Sequence, residues 1–342
     1  MEKKNNNNNT FFTQTLLQWF AEFGRSLPWR ETKNPYAIWL SEIILQQTRI
    51  QQGWTYWERF MQRFPTIEAL AAASEDEVLR LWQGLGYYSR ARNLHFAAQQ
   101  VVQLGYFPNT MTELKAMKGV GDYTAAAIGS IAFGLPVSVV DGNVYRVLSR
   151  YFGITTPINS TEGKKVFAEL AQLLLPVAEP ATYNQAIMDF GAIQCTPQAP
   201  RCLICPLGET CVALRMGKVE TLPVKLNKLK IKMRHFIYIY IRCAEKVAIH
   251  KRGKGDIWQG LWEPMLIEDK PMPKIEGKLT LIKKNVKHVL THRILMADFY
   301  VLETDVFPTL PEDFIWINEE DIDQYALPRL IEILLEELHS AQ

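Results

Sequence analysis

Two lone carboxylates and a dense set of thiols are the groups in this sequence whose type and spacing could do chemistry. Glu42 lies inside Ile38–Gln47 (IWLSEIILQQ), a stretch that is apolar on nearly every side. A buried acid there either pairs with a cation or, desolvated, keeps its proton near neutral pH and can act as a general acid. Asp141 ends the apolar run Pro136–Val140 and precedes Gly142-Asn143-Val144. Asp is a good helix N-cap, and backbone amides at a helix start favour its charged form. Taken singly, an ion pair for Glu42 and a cap for Asp141 are the simpler readings.

The thiols follow the pattern Cys195-x6-Cys202-x2-Cys205-x5-Cys211, among Pro197, Pro200, Pro206 and Gly208. Four cysteines this dense can wrap one tetrahedral metal ion or an iron–sulfur cube, and their spacing alone does not separate the two. It is not the two-knuckle spacing of a zinc ribbon. Cys243, inside an expected strand, reads as a packed thiol. A further motif, Met117–Ala126 (MKGVGDYTAA), places Gly119-Val120-Gly121 between a short helix and a small-residue helix. Glycines there let backbone N–H groups approach a phosphate, a contact that positions a nucleic acid without reading its sequence.

The elements that must position these groups fall into two classes. Up to about Met216 the periodic segments are helical: Phe11–Phe23, a helix opened by Asn34-Pro35 that carries Glu42, one capped by Ser74, and then Ser89–Leu104, Tyr123–Phe133, Val144–Phe152, Thr161–Leu175 and Tyr183–Ile193. From His235 the period changes. His235–Ile241, Lys246–His250, Leu279–Lys283, Val286–Thr291, Ile294–Leu302 and Phe314–Ile317 read as strands, and Leu327–Leu338 reads as a closing helix.

The chain has 342 residues, with 48% hydrophobic and 22% charged, enough for a globular protein of two or three domains. The net charge of +2 hides an asymmetry. Pro223–Gly255 holds ten Lys/Arg and one acid, whereas Asp256 to the end holds eight basic and seventeen acidic residues. One basic face for a polyanion fits this distribution, as does a solvated linker. No apolar run spans a bilayer, and Met1–Asn9 lacks the features of a secretion signal.

Taken together and in order, Glu42 in SEIILQQT, the GVGDYTAAA hairpin, Asp141 in VDGNVYRVLSR and the four-cysteine loop resemble the adenine DNA glycosylase (MutY) family. That family belongs to the helix–hairpin–helix, iron–sulfur glycosylases. LPWR at Leu27–Arg30, GLGYYSRARNLH at Gly84–His95 and YNQAIMDFGAIQC at Tyr183–Cys195 extend the likeness, which is dense from about Leu16 to Leu214 and looser beyond. The resemblance implies a multi-domain chain: an all-α helix–hairpin–helix glycosylase core followed by an α+β Nudix-like domain. Its expected divisions are a disordered tail over 1–9, a helical glycosylase region over 10–220, a basic linker over 221–234 and the Nudix-like domain over 235–342. Within the helical region a six-helix barrel would occupy about 25–135, and an iron–sulfur module about 10–24 and 136–216.

It also implies an activity: removal of adenine mispaired with 8-oxoguanine or guanine in duplex DNA, after the base is turned out of the stack. Glu42 is then expected to protonate the leaving adenine, and Asp141 to stay ionised beside the sugar cation. Tyr123 stands where strand-cutting relatives have a Schiff-base lysine. A tyrosine forms no imine, so lyase activity is expected to be absent or weak, and Tyr123 is expected to donate a hydrogen bond beside Asp141. By resemblance Trp29, Arg30 and Gln185 line the adenine pocket, with Asn143 next to Asp141. Gln47 and Tyr87 enter the duplex, with Leu45 and Thr48 beside them, and Lys118, Gly119, Val120 and Gly121 meet phosphate. Thr291 and His292 fall where the family has a Phe-Ser-His turn that checks for 8-oxoguanine, with Leu290 in place of Phe. The resemblance assigns Cys195, Cys202, Cys205 and Cys211 to a [4Fe–4S] cluster in preference to zinc. No acidic Nudix metal box is present, so pyrophosphohydrolase activity is not expected. A monomeric, intracellular protein of the bacterial cytoplasm and nucleoid is expected, its partner being mispaired duplex DNA and any repair or replication proteins left unnamed. The competing readings are an endonuclease III-type pyrimidine-lesion enzyme and a non-catalytic iron–sulfur DNA-binding protein. Tyr123 and Gln185 argue against the first, and the presence of both acids against the second.

Overall fold

The computed structural model describes residues 2–226, 231–273 and 275–340, so 227–230 of the expected basic linker lie outside the described residues. The chain clusters into two compact units. One holds residues up to Met61 together with those from Ala97 to the linker; the other holds Gln62–Phe96 together with the chain beyond the linker. Residues 62–96, expected in the six-helix barrel, are therefore grouped with the C-terminal sheet.

The first unit is helical. It contains α1 (Glu2–Phe23), α2 (Pro35–Ile44), most of α3 (Ile50–Arg63), and, after α4 (Ile67–Ala72) and α5 (Glu75–Trp82) of the other unit, the second half of α6 (Ser89–Leu104). Then come α7 (Met111–Ala116), α8 (Asp122–Phe133), α9 (Gly142–Phe152), α10 (Thr161–Leu174), α11 (Pro180–Asp189) and α12 (Val212–Arg215). Asn34 caps α2 by accepting from the Tyr36 amide at 2.9 Å, with Pro35 at the first helical position. Every α2 residue from Tyr36 to Ile44 is buried, which an amphipathic surface helix could not be. The small residues of α8 (Thr124-Ala-Ala-Ala) let α2 pack against it. Phe12, Leu16 and Trp19 of α1 share a core with Val144, Val147 and Leu148 of α9, Phe167 of α10 and Tyr183 of α11.

Two expectations change here. The tail over 1–9 is, from Glu2 onward, part of α1. A helix already nucleated and docked through Phe12 and Leu16 extends at little cost per residue, even through weak helix formers such as Asn. The Tyr183–Ile193 helix does not run uniformly. After Asp189 it widens into a π-turn over Phe190–Gln194 that delivers Cys195, a distortion common at functional sites.

The second unit is built on a sheet with strands β1 (Lys232–Cys243), β2 (Lys246–Lys251), β3 (Trp262–Glu263), β4 (Met265–Ile267), β5 (Lys278–Val289), β6 (Arg293–Thr304) and β7 (Phe314–Asn318). The order is β3-β2-β1-β6-β5, with β4 also on β1 and β7 on β2; β1 and β6 are parallel. α13 (Arg329–Ser340) lays Leu330, Ile331, Leu334 and Leu338 over Phe236, Tyr238, Val247 and Phe299. Leu279–Lys283 and Val286–Thr291, expected as separate strands, are one strand, β5, whose register slips at Lys283–Val286. Asn285 has φ 57° there and its amide donates to Asp298 Oδ1 at 2.8 Å, so the polar break is a bulge and not a turn. The strand ends earlier than expected, leaving Thr291 and His292 as the tip of the β5–β6 hairpin, closed by Leu290 N–H to Arg293 C=O at 2.8 Å.

Candidate active site

A cavity of about 450 Å³ opens in the first unit, walled by the turn Pro28–Arg30, the inner face and C-terminal end of α2, the start of α8, Asp141–Asn143 and α11. Glu42 and Asp141 both line it, with Tyr123. Glu42 is 9% exposed, and burial pushes its carboxyl up to about 7; the Asp141 charge adds to this, while a hydrogen bond from Tyr123 and the charge of Arg30 oppose it. Tyr123, one residue into α8, donates from its hydroxyl to Glu42 Oε2 at 2.8 Å and also lies 3.5 Å from Met188 Sδ. Burial, then the two acids, raises the phenol well above its ordinary range, so Tyr123 stays a donor. Its hydrogen-bond partner is Glu42, because the first turn of α8 faces α2, while Asp141, beside which the bond was expected, lines the same cavity and acts on the phenol through its charge.

Asp141 is the N-cap of α9. Oδ1 accepts from the Asn143 and Val144 amides, both at 2.8 Å, and Oδ2 from Asn143 Nδ2 at 2.7 Å. Burial raises its pKa, and those bonds together with the charge of Arg146 hold it back. All three of these partners are donors, which favour the charged form of Asp141. Glu42 meets a hydroxyl, which can turn from donor to acceptor. The two acids thus share a cavity but meet different partners. Gly191 closes against Asn143, where an added Cβ would stand 2.6 Å from Asn143 Cβ.

The remaining cavity residues come from several elements. Trp29 is buried, its ring edge-on to Trp54 and Trp57. Arg30, Leu45, Gln47, Thr48, Asn143 and Gln185 all line the cavity. Gln47 has φ 60°, a left-handed backbone that a non-glycine residue adopts only where its surroundings impose it. Tyr87, Thr291 and His292 belong to the second unit. Tyr87 also has a positive φ, 47°, and its hydroxyl bonds Thr291 Oγ1. The His292 carbonyl accepts from the Lys232 amide at 3.1 Å.

The hairpin Met117–Gly121 is a tight turn, with Gly119 at φ 79°. Two of its amides are already used: Lys118 N–H donates to Gln100 Oε1 at 2.9 Å and Val120 N–H to Met117 C=O at 3.1 Å. That leaves the Gly119 and Gly121 amides, without an acceptor among the described residues, and the exposed Lys118 side chain to meet an anion.

Cys195 follows the π-turn, Cys202 opens a short 3-10 turn, Cys205 follows it and Cys211 precedes α12. Among the described residues no three His, Cys, Asp or Glu side chains are grouped as around a single metal ion. The thiols nevertheless feel one another. Burial first, and then Cys195, Cys211 and Cys202, raise Cys205 to about 11 against a backbone hydrogen bond at Leu207. α9 secures the loop through two arginines. Arg146 donates to the Cys195 carbonyl at 2.7 Å and to Asn143 Oδ1 at 2.8 Å. Arg150 donates to the Thr196 carbonyl at 2.7 Å and lies 3.4 Å from Cys195 Sγ.

Sequence reasoning passed over Arg146, Arg150 and Met188, and also Asp189, a fully buried carboxylate bonded to Arg30 and Arg25. Asp189 carries the same signal that singled out Glu42: an acid closing the apolar stretch Ala186-Ile187-Met188.

The raised Glu42 value has a consequence for stability. Ionising this carboxyl costs more in the folded chain than in the unfolded one. The cost is absent below about 4.5, its unfolded value, grows as pH rises and is complete above about 7. Glu42→Gln is therefore expected to leave stability nearly unchanged at pH 4 and to raise it at pH 8 by up to about 3 kcal/mol, with a higher thermal midpoint there. Equal effects at both pH values in thermal melts would contradict the assignment.

Comparison with known proteins identifies relatives of this chain. The HhH-GPD superfamily of base excision DNA repair proteins matches residues 40–174, and the NUDIX domain matches 237–337. An adenine DNA glycosylase of Buchnera aphidicola subsp. Baizongia pistaciae is 36% identical over 298 residues, 85% of this chain and 84% of that protein. The human adenine DNA glycosylase is 44% identical over 224 residues, covering 62% of this chain and 41% of the human one. Among solved structures, a thermostable thymine-DNA glycosylase superposes with a TM-score of 0.58 at 30% identity, over 62% of this chain and 99% of that one. An endonuclease III–DNA complex shares the fold, with a TM-score of 0.54 at 22% identity, over 61% and 95%. With a relative this similar along most of both lengths, and with two acids converging in the cavity of a helix–hairpin–helix core, the chain belongs to the adenine DNA glycosylase family.

Proposed function

We propose that this protein is a monofunctional base-excision-repair glycosylase that hydrolyses the N-glycosidic bond of adenine opposite 8-oxoguanine or guanine in duplex DNA. The observation that carries the reading is the meeting of Glu42, Tyr123 and Asp141 at one cavity. The names of its relatives support adenine as the base.

An adenine turned out of the helix enters between Trp29, Arg30 and Gln185. The protonated Glu42 carboxyl gives its proton to N7 of the base, and the electron pair of the C1′–N9 bond leaves with the adenine. Positive charge is left on the sugar at C1′, where Asp141, whose charged form its three donors favour, stabilises or traps it. Water completes hydrolysis at C1′ and its proton restores Glu42. Tyr123 orients Glu42 and offers no amine, so no imine forms and the strand is left intact at an abasic site. Lys118, with the Gly119 and Gly121 amides, holds phosphate. Gln47 and Tyr87 carry strained backbones suited to side chains that press into a duplex, and Thr291 and His292 at the hairpin tip offer a hydroxyl and an imidazole to the oxidised base. In this reading the helical region spans 10–220 and the lesion-checking domain 235–342, and the protein acts as a monomer in the bacterial cytoplasm.

Cys195, Cys202, Cys205 and Cys211 would hold a [4Fe–4S] cluster. The fit rests on four thiols that perturb one another within one loop, and on Arg146 and Arg150 tying that loop to α9. When bound, the cluster supplies shape and no bond-making step, since all four thiolates would be engaged as ligands. Burial raises the Cys202, Cys205 and Cys211 thiols, and metal coordination is what would make thiolates stable there.

A duplex with adenine opposite 8-oxoguanine tests the reaction. Incubation is expected to release free adenine and to leave a strand that breaks only after alkali. Glu42→Gln should slow release by at least about a hundredfold. Direct nicking without alkali, or a Glu42→Gln protein working at the wild-type rate, would refute the assignment. For the cofactor, metal analysis is expected to find about four iron atoms per chain, lost in Cys202→Ala. A colourless, zinc-loaded and fully active protein would rule the cluster out.

A further inference from the structure

Asp189 is fully buried at the C-terminal end of α11, and two arginines converge on it. Arg30 approaches in bidentate fashion, Nη1 to Oδ2 and Nη2 to Oδ1, both at 2.8 Å. Arg25 bonds the same carboxylate through its backbone amide at 3.0 Å, through Nε at 3.1 Å and through Nη2. Arg30 Nη1 also donates to the Arg25 carbonyl at 2.9 Å. The Arg25–Arg30 segment is thus tied to α11 at one point, and both arginines line the cavity that holds Glu42.

We propose that Asp189 is a positioning residue for the excision reaction, acting through Arg30: it fixes the guanidinium at the cavity wall and balances the two arginine charges near Glu42. The proposal rests on the glycosylase reading above. A bidentate carboxylate is the partner that fixes a guanidinium plane as well as its location. Without it, Arg30 would be free to swing away from an entering purine. The charge balance matters because Arg30 is the cation whose charge acts against protonation of Glu42. The other groups facing Glu42 are Tyr123 from α8 and Asp141 from the start of α9. Arg25 and Arg30 approach from the segment before α2, Arg49 from the turn after it, and Asp189 with the uncharged Gln185 and Met188 from α11. Within this set, Asp189 offsets the positive charge without itself taking a proton. Burial would raise its carboxyl, but its bonds to the two arginines hold it down at about 2.

The test is the pH dependence of adenine release in single turnover, measured on folded protein checked by thermal melt. Asp189→Asn leaves two arginine charges unopposed, so the alkaline limb of the rate profile is expected to move down by about one pH unit. At pH 8 its rate relative to its own plateau is then about tenfold lower than the same ratio in the wild type. Arg25→Met removes one of those charges and is expected to move the limb the other way. A residue that merely stiffened the fold would lower the plateau of both variants without moving the limb. If Asp189→Asn does not fold, the Arg25→Met limb decides alone. Limbs unmoved in the folded variants would overturn the proposal. A wild-type protein that releases no adenine would sink the glycosylase reading, a separate outcome.

Discussion

The site depends on the cost of placing a carboxyl out of water. Glu42 sits on a helix whose residues from Tyr36 to Ile44 are all buried, so nothing on its own helix solvates the charged form. What it receives instead is one hydroxyl, from Tyr123. A phenol only partly offsets the loss of water around an ionised carboxylate and can serve a protonated one as acceptor, so burial prevails and the carboxyl is pushed up to about 7. The apolar α2 sequence, the small residues of α8 that allow close approach, and the position of Tyr123 one residue into α8 all serve that single condition.

Asp141 shows how the same cavity gives a second acid partners that favour its charge. Burial acts on it too, yet two amides at the start of α9 and the Asn143 side chain occupy its oxygens. The acids differ in their partners as well as in exposure. One faces a reversible hydroxyl, the other only donors. α9 then carries this local order outward, because Arg146 bonds both Asn143 and the Cys195 carbonyl, joining the cysteine loop to the cap of the same helix.

Much of this was legible in the sequence where the signal is local. Asn34-Pro35 announces the start of α2, and an acid within Ile38–Gln47 is conspicuous against its neighbours. Asp141 between an apolar run and a helix reads at once as a cap. The change of period at His235 marks the passage from helices to a sheet. What the sequence concealed are pairings across long separations. Asp189 meets Arg25 and Arg30 from more than 150 residues away, and no spacing rule reaches that far. The partner of Tyr123 depended on which face of α8 meets α2. Residues 62–96 carry ordinary helical patterns, yet they group with the C-terminal sheet through contacts such as Lys251 to Asp76 at 2.5 Å and Arg92 to the Gln259 carbonyl at 2.5 Å. The polar break in β5 looked like a turn, because a bulge and a turn use the same residues.

The central claim is that Glu42 carries a proton near neutral pH. It is tested most directly by following the Glu42 side-chain carboxyl with carbon NMR in selectively labelled protein as pH is varied, using Glu42→Gln to assign the signal. A midpoint of about 7 is expected. A midpoint of about 4, in the ordinary glutamate range, would mean that the group is already ionised when a base arrives, and the acid role of Glu42 would have to be abandoned.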